Sequence, residues 1–317
     1  CSRKRASEKF ISTMINFKLW ARAFRVPFFT ATIIPVAFGS IAAWRDTSAF
    51  SWIRFWLTMI GAILIHAGTN TANDYFDHVS GCDEANPNPT PFSGGSRVIQ
   101  EGLIPAKKIL FVSLSCFALG SAIGLYLNYL CGRNVILILG AIGIFLGIFY
   151  SAKPFRIGYG SFGELAVGIG FGPLMVMGAY YVQAKTLPMS AFLISIPVGI
   201  LIALVLYINE FPDYDGDKAV GKRTLVVILG KKNAVLLYHI LLASAYFGII
   251  TLIVFGLLPL ASLIALITLP VALKAFAVSK DNYDKIRELL PANASTIGLH
   301  SMIGILLCVG LILDKIF

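Results

Sequence analysis

The chain has 317 residues, 57% of them hydrophobic and only 13% charged, with a mean hydropathy of +0.80. Soluble domains carry about 25% charged residues, so the composition excludes a soluble domain and describes an all-α polytopic membrane protein. The net charge of +10 would suit nucleic acid, but its distribution excludes that partner, because Lys and Arg crowd into alternate loops.

A spanning helix needs roughly 20 mainly apolar residues. After a basic arm over residues 1–22, nine stretches meet the requirement: 24–44, 52–72, 109–130, 134–152, 162–182, 190–209, 235–256, 259–279 and 296–313. The N-terminal arm as far as Arg25 and the connections after the second, fourth, sixth and eighth stretches hold 21 Lys and Arg. The other side holds five: Arg45, Arg54, Arg133, Lys185 and Lys315. By the positive-inside rule the N-terminus is cytoplasmic, and with nine spans the C-terminus lies outside a prokaryotic inner or cell membrane. Part of the basic excess also suits anionic headgroups of membrane lipids or substrate phosphates.

The five cysteines (Cys1, Cys82, Cys116, Cys131, Cys308) form no CxxC pair and read as free thiols. Arg3-Lys4-Arg5 after Cys1 argues against an exported lipoprotein, so a trimmed or misread start is expected, and no cleavable signal peptide is visible. The chain reads as one domain, residues 1–317. Its two long cytoplasmic connections, 73–108 and 210–234, mix acids, Gly and basic residues, a composition that marks long loops as functional.

Each of these connections opens on an acidic run. Asn73-Asp74-Tyr75-Phe76-Asp77 and Asn209-Glu210-Phe211-Pro212-Asp213 both spell asparagine, acid, aromatic, any residue, aspartate. A carboxylate inside a membrane costs about 2.5–3.5 kcal/mol at a helix centre on insertion scales. Helical spacing puts Asn70, Asp74 and Asp77 on roughly one face and Asn209, Asp213 and Asp217 on another, with Glu210 joining the second set. Pro212 predicts a kink or helix end. Facing carboxylates repel unless cations lie between them, and oxygen ligands without His or Cys suit Mg²⁺. Mg²⁺ commonly binds one or two carboxylates plus substrate phosphates, so two separated patches fit a diphosphate bridged between them. Arg22 or Arg25, Arg97, Lys153, Arg156, Lys222 and Arg223 are candidates for the remaining phosphate charge. A metal-clamped diphosphate is a good leaving group, and aromatic faces stabilise the allylic cation its departure would leave.

These residues resemble a known family. Asn73-Asp74-x-x-Asp77 with Asp83 is similar to the first motif of the UbiA-type intramembrane prenyltransferases, and Asp213-x-x-x-Asp217-x-x-x-Gly221-Lys222-Arg223-Thr224-Leu225 is similar to the second. Within the family the likeness is to the 1,4-dihydroxy-2-naphthoate polyprenyltransferases of menaquinone synthesis. It is carried by Gly95-Ser96-Arg97-Val98-Ile99-Gln100-Glu101-Gly102, Tyr150-x-x-Lys153-Pro154-Phe155, Gly163-Glu164-Leu165, and Phe171-Gly172-Pro173 with Gly178-x-Tyr180-Tyr181-x-Gln183. The resemblance spans roughly residues 20 to 313. It implies nine transmembrane helices around a central cavity open on the cytoplasmic side, and Mg²⁺-dependent transfer of a polyprenyl group from polyprenyl diphosphate to an aromatic acid. In the naphthoate subgroup the prenyl group replaces the carboxylate, releasing CO₂ and giving demethylmenaquinol.

Carried over residue by residue, the resemblance gives catalytic and metal roles to Asp74, Asp77, Asp213 and Asp217, and a catalytic phosphate contact to Lys153. Substrate contacts fall to Asn70, Asn73, Arg25, Arg97, Tyr150, Glu164, Asn209, Lys222 and Arg223. Two positions depart from the family pattern. Many relatives have Asn or another residue where Glu210 stands, and the carboxylate expected four residues after Asp77 is displaced from Gly81 to Asp83.

Plainer roles fit other residues. Glu164 either caps the start of the fifth helix or orients the acceptor. Asp215 and Glu84 read as solvated, and Ser93-Gly94-Gly95-Ser96 as a flexible lid, since no Walker lysine follows. Gly39, Gly61, Gly68, Gly120 and Gly124 read as helix-packing positions, while His66, His239 and His300 read as packed. The competing functions are the same chemistry on 4-hydroxybenzoate or a glycerophosphate lipid, and, from another class, a carboxylate-lined transporter or channel. The channel needs polar steps through the midplane, and Asp46 and Asp314 are the only acids on the outer side.

Overall fold

The apolar stretches all form helices in a computed structural model that describes residues 17–87 and 89–317. Cys1, the Arg3-Lys4-Arg5 run and most of the basic arm lie outside the described residues. The helices are α1 (Val26–Thr47), α2 (Trp52–Val79), the short α3 (Cys82–Ala85), α4 (Ala106–Cys131), α5 (Val135–Phe149), α6 (Gly163–Ala184), α7 (Met189–Ala219), the short α8 (Leu225–Leu229), α9 (Lys231–Val254), α10 (Leu260–Asn282) and α11 (Ile286–Ile316). No strand occurs among the described residues.

Eight of these are long and apolar enough to cross a membrane, against the nine expected. The fourth expected span, α5, has 15 residues. At 1.5 Å per residue it is about 22 Å long, short of the roughly 30 Å hydrocarbon core. Only Ile136 on it is buried.

The core centres on α7, whose Leu201, Leu204, Tyr207, Ile208 and Phe211 are almost wholly buried in a cluster with side chains of α1, α6, α9, α10 and α11. Between membrane helices close approach depends on small residues, because lipid tails compete equally for apolar side chains. A Cβ on Gly39 of α1 would stand 2.3 Å from the Val176 carbonyl oxygen of α6. Gly61 and Gly120 bring α2 and α4 together in the same way, and Gly68 admits Cys116 and Phe117. Gly124 has nothing within 4 Å of its Cβ position, so it has no packing role of this kind.

Of the kink or helix end expected at Pro212, the helix end does not occur: α7 runs on to Ala219. Proline removes the donor that would serve the carbonyl four residues earlier, here that of Ile208. The Asn293 amide of α11 donates to that oxygen at 3.0 Å and to Asn209 Oδ1 at 2.8 Å. A neighbouring helix thus supplies the missing hydrogen bond. The helix can therefore carry Glu210, Asp213 and Asp217 on regular turns. Likewise α2 continues six residues past Asn73, so both acidic runs are helical rather than parts of loops.

The Gly39 contact is with backbone, which cannot swing aside. Gly39→Ala is expected to destabilise the α1–α6 pair by about 1–3 kcal/mol, the usual cost of overpacking, and to lower the Tm of the purified protein. An unchanged thermal unfolding curve would contradict the packing described.

Candidate active site

The last turns of α2 and α7 point their carboxylates at each other. Lys222 Nζ, in the turn after α7, lies 3.6 Å from Asp77 of α2 and 3.4 Å from Asp217 of α7. Burial opposes its charge, but Asp77 and Asp217 outweigh that and hold the ammonium well above its ordinary pKa. One cation thereby bridges the two acidic motifs.

Neutral donors surround the bridge. Tyr159 gives its hydroxyl to Asp77 Oδ1 at 2.8 Å, and burial together with Asp77 raises its pKa, so it remains a donor. Asn73 donates to Asp77 Oδ2 at 2.9 Å and to Ser151 at 2.7 Å, and accepts from Arg25 at 2.9 Å. Arg25 also pairs with Asp74. Asn70 donates to the Phe24 carbonyl at 3.0 Å, fixing the approach to α1.

Asn86 and residues 89–97 strap across this end instead of hanging free. Asn86 Nδ2 donates to Asp213 Oδ1 at 2.7 Å and the Gly94 N–H to Asp213 Oδ2 at 3.2 Å. Ser96 donates to Asp74 through both its N–H, at 3.2 Å, and its hydroxyl. Gly94 and Gly95 have φ of 80° and 76°, a region where L side chains are strained. A Cβ on Gly95 would also stand 2.8 Å from Asp83 Oδ2. Asp83 is buried. That burial, with Asp77 and Asp74 beside it, pushes its carboxyl up to about 8.

A polar cavity of about 650 Å³ lies under the strap. Asn70, Asn73, Asp77, Arg25, Arg97, Tyr150, Asn209, Asp213, Asp217 and Lys222 all line it. Asp74 is buried beside it, held by Arg25 and Ser96. A second, almost wholly apolar cavity of about 430 Å³ runs between α2, α4, α5 and α6. His66, Thr69, Tyr150, Val167 and Phe171 line both, so the two spaces adjoin at these five side chains.

Two expected site residues are not brought in. Lys153 and Arg223 are exposed and line neither cavity. Lys153 belongs to the turn after α5, where Ser151 and Tyr150 face inward instead; Arg223 gives only its N–H, to the Tyr159 carbonyl at 2.8 Å. Glu164 is buried and accepts the Leu225 N–H at 3.1 Å, tying α6 to α8. Glu84 and Asp215 are exposed, as expected of solvated acids.

Asn86 and Tyr159 were not singled out by sequence reasoning, and Ser96 was read only as part of a flexible lid. The signal for Ser96 was the Gly94-Gly95 pair before it; Asn86 and Tyr159 offered none. His66 was read as packed, and it is: its Nδ1 meets Thr32 Oγ1 at 2.7 Å. It nevertheless forms part of the junction between the cavities.

The donor set is carboxylate and amide oxygen, the chemistry of a hard divalent cation. Among the described residues no group of three or more His, Cys, Asp or Glu is arranged to enclose an ion by itself.

The sequence model of the UbiA prenyltransferase family matches residues 32–297. The chain is 31% identical over 298 residues to the 1,4-dihydroxy-2-naphthoate octaprenyltransferase of Mycobacterium tuberculosis, covering 94% of this chain and 97% of that one. It is 27% identical over 287 residues to the Bacillus subtilis protein of the same description, covering 90% and 89%. A solved UbiA homolog from Archaeoglobus fulgidus, bound to DMAPP and Mg²⁺, shares the fold with a TM-score of 0.66 at 17% identity, covering 92% of this chain and 99% of that one. With eight apolar helices of spanning length and a family match over most of its length, the chain is an integral membrane prenyltransferase and belongs to the UbiA family.

Proposed function

We propose that this protein transfers a polyprenyl group from polyprenyl diphosphate to 1,4-dihydroxy-2-naphthoate. The prenyl group takes the place of the carboxylate, so that CO₂ and diphosphate leave and demethylmenaquinol forms. The observation that carries this reading is the pair of acidic helix ends, bridged by Lys222, over a polar cavity that adjoins an apolar one. A charged head and a hydrocarbon tail are the two halves of a prenyl diphosphate, and the two spaces match them.

Asp74, Asp77, Asp213 and Asp217 would hold Mg²⁺ together with the diphosphate oxygens. When bound, the metal neutralises charge that develops on the leaving group. Lys222 and Arg25 add fixed positive charge at the same end, and Arg97 lines the cavity wall. Where the cavities adjoin, the rings of His66 and Phe171 lie 4.8 Å apart, edge to face. With Tyr150 they present aromatic surface to positive charge on the allylic carbon. The apolar lining beyond them excludes water, which would otherwise capture that carbon. The naphthoate acceptor is supported by the relatives named above, and the Mg²⁺ by the donor chemistry and by the Archaeoglobus protein. The loop charges support a cytoplasmic N-terminus, with the polar cavity on that side, and the Mycobacterium and Bacillus relatives support a prokaryotic membrane.

The reading is tested with purified protein, Mg²⁺ and a labelled polyprenyl diphosphate. The acceptors 1,4-dihydroxy-2-naphthoate, 4-hydroxybenzoate and a glycerophosphate are offered singly. Prenylated product and CO₂ from the naphthoate are expected; product from another acceptor alone would overturn the assignment. Asp74→Ala and Asp213→Ala are each expected to lower turnover by at least ~10²-fold, the scale for losing one preorganised electrostatic contact, while yield and elution profile stay the same. Activity retained in either variant would put the metal elsewhere.

A further inference from the structure

The five side chains where the two cavities adjoin form a collar whose chemistry differs from that of either space. His66, Thr69, Tyr150, Val167 and Phe171 include no acid but carry three polar groups. Thr69 spends its hydroxyl on the Ile65 carbonyl at 2.9 Å. The Tyr150 hydroxyl and His66 Nε2 have no hydrogen-bond partner among the described residues. Neither atom is sealed off from the cavities, as Glu164 Oε2 and Glu210 Oε2 are.

His66 stands one turn before Asn70 on α2 and is only 7% exposed. An ionisable side chain inside a span marks a functional position by default. Its ring packs between Phe29 and Phe171, with ring centres 5.3 and 4.8 Å away, and Thr32 Oγ1 of α1 lies 2.7 Å from its Nδ1. That last contact fixes where the proton sits. A helical threonine commonly returns its hydroxyl to the carbonyl four residues earlier, as Thr58 and Thr69 do. Thr32 is wholly buried, and His66 Nδ1 is its only side-chain partner among the described residues. A buried hydroxyl hydrogen needs an acceptor, so Thr32 donates to Nδ1. The imidazole then carries its proton on Nε2, the nitrogen open to the cavities. The collar thus presents an oriented N–H that has nothing in the protein to donate to.

The position of this donor selects what it meets. A prenyl group that replaces a carboxylate bonds to the carbon that bears it, so that carboxylate lies where the head and tail compartments join. Deeper in the polar cavity it would face the acids, and the cations there are engaged: Lys222 by Asp77 and Asp217, Arg25 by Asp74. At the collar it would accept a charge-assisted hydrogen bond, about twice as strong as a neutral one. As the new C–C bond forms, the allylic C–O pair leaves with the diphosphate. The pair freed by departing CO₂ returns to the ring, so His66 neither gains nor loses a proton.

We propose that His66 donates from Nε2 to the carboxylate of the aromatic substrate, beside the Tyr150 hydroxyl, and thereby selects aromatic acids over rings that lack the carboxylate. This rests on the prenyl-transfer reading of the same site. His66 is the substrate contact, and Thr32 is a positioning residue that keeps the proton on Nε2.

The test uses the full chain with Mg²⁺ and a labelled polyprenyl diphosphate. 1,4-Dihydroxy-2-naphthoate and 4-hydroxybenzoate serve as substrates, and their carboxyl-free counterparts, 1,4-dihydroxynaphthalene and phenol, as competitive inhibitors. His66→Phe keeps an aromatic ring and removes the donor. It is expected to raise the KM of the acid by about tenfold or more, the scale for a hydrogen bond to a charged group. Inhibition by the carboxyl-free ring, the KM of the prenyl diphosphate and the Mg²⁺ requirement should not change. His66→Gln, whose amide can donate from a similar place, should recover part of the preference for the acid. With ¹⁵N-labelled histidine, the His66 signal, identified by its absence from either His66 variant, should show the Nε2–H tautomer. Thr32→Val should add the Nδ1–H form and raise the KM of the acid by a smaller factor. It decides the matter if His66→Phe does not fold, since an unchanged KM there would overturn the proposal.

A wild-type proton on Nδ1, or equal weakening of acid and carboxyl-free ring in His66→Phe, would also overturn it. A rise in diphosphate KM would do the same and assign His66 to the leaving group. If wild type prenylates only 4-hydroxybenzoate yet shows the same His66-dependent preference for the carboxylate, the naphthoate assignment fails and this proposal stands. Turnover of the naphthoate without any such preference gives the reverse.

Discussion

Carboxylates buried inside an apolar bundle are the constraint from which the rest of this structure follows. Asp74, Asp77, Asp83, Glu164, Glu210 and Asp217 are all buried, a density that hydrocarbon surroundings do not tolerate without partners. Removing one partner from a buried ion pair typically costs 3–5 kcal/mol, because the other charge remains. Lys222 is therefore shared between α2 and α7, and Arg25 is turned onto Asp74 although its backbone must adopt a φ of 54° to do so. The neutral donors Asn73, Asn86, Ser96 and Tyr159 complete the set. Few positions at this end of the bundle are free to vary without exposing a buried charge.

The same constraint divides the interior into two spaces of different chemistry. All the clustered acids sit at one end, and the apolar cavity that adjoins them carries no acid in its lining. At the opposite end Asp46 is held by Arg45 at 2.9 Å and by the Tyr180 hydroxyl at 2.9 Å. A conduction path would need polar groups stepping through the midplane. An apolar compartment beside a charged one serves a molecule that is itself divided in that way.

Much of this was legible in the sequence because membrane burial makes polar residues conspicuous. Asp74, Asp77, Asp213 and Asp217 stand out against apolar neighbours, and their helical spacing alone puts them on common faces. Charge in short connecting segments was far less legible. Lys153 and Lys222 both lie in turns that follow helices, and only the turn geometry sends one to solvent and the other to the acid pair. Pro212 was compatible with a helix end in the sequence, since its effect depends on Asn293, which is 81 residues away in the chain. The strap could not be read as ordered, because its order comes from hydrogen bonds to acids in other helices. The fourth span came out short for a different reason: hydropathy alone does not say where Val135–Phe149 stops being helical.

How a strap that already donates to the acids remains compatible with a cation follows from lone-pair geometry. An ionised carboxylate offers about four acceptor directions on its two oxygens. Asp213 receives Asn86 on one oxygen and the Gly94 N–H on the other, with the Ser93 side chain as a third partner, which leaves one acceptor direction. These donors fix the orientation of the carboxylate, much as outer-shell hydrogen bonds orient metal ligands generally. Gly94 can donate from its backbone because its φ of 80° is open to glycine. Asn86 can approach α7 because Gly216 has no side chain: a Cβ there would stand 2.9 Å from the Asn86 Cα. Two glycines, one in the strap and one in the helix, thus set the aim of a single aspartate, and neither would register as functional by its own chemistry.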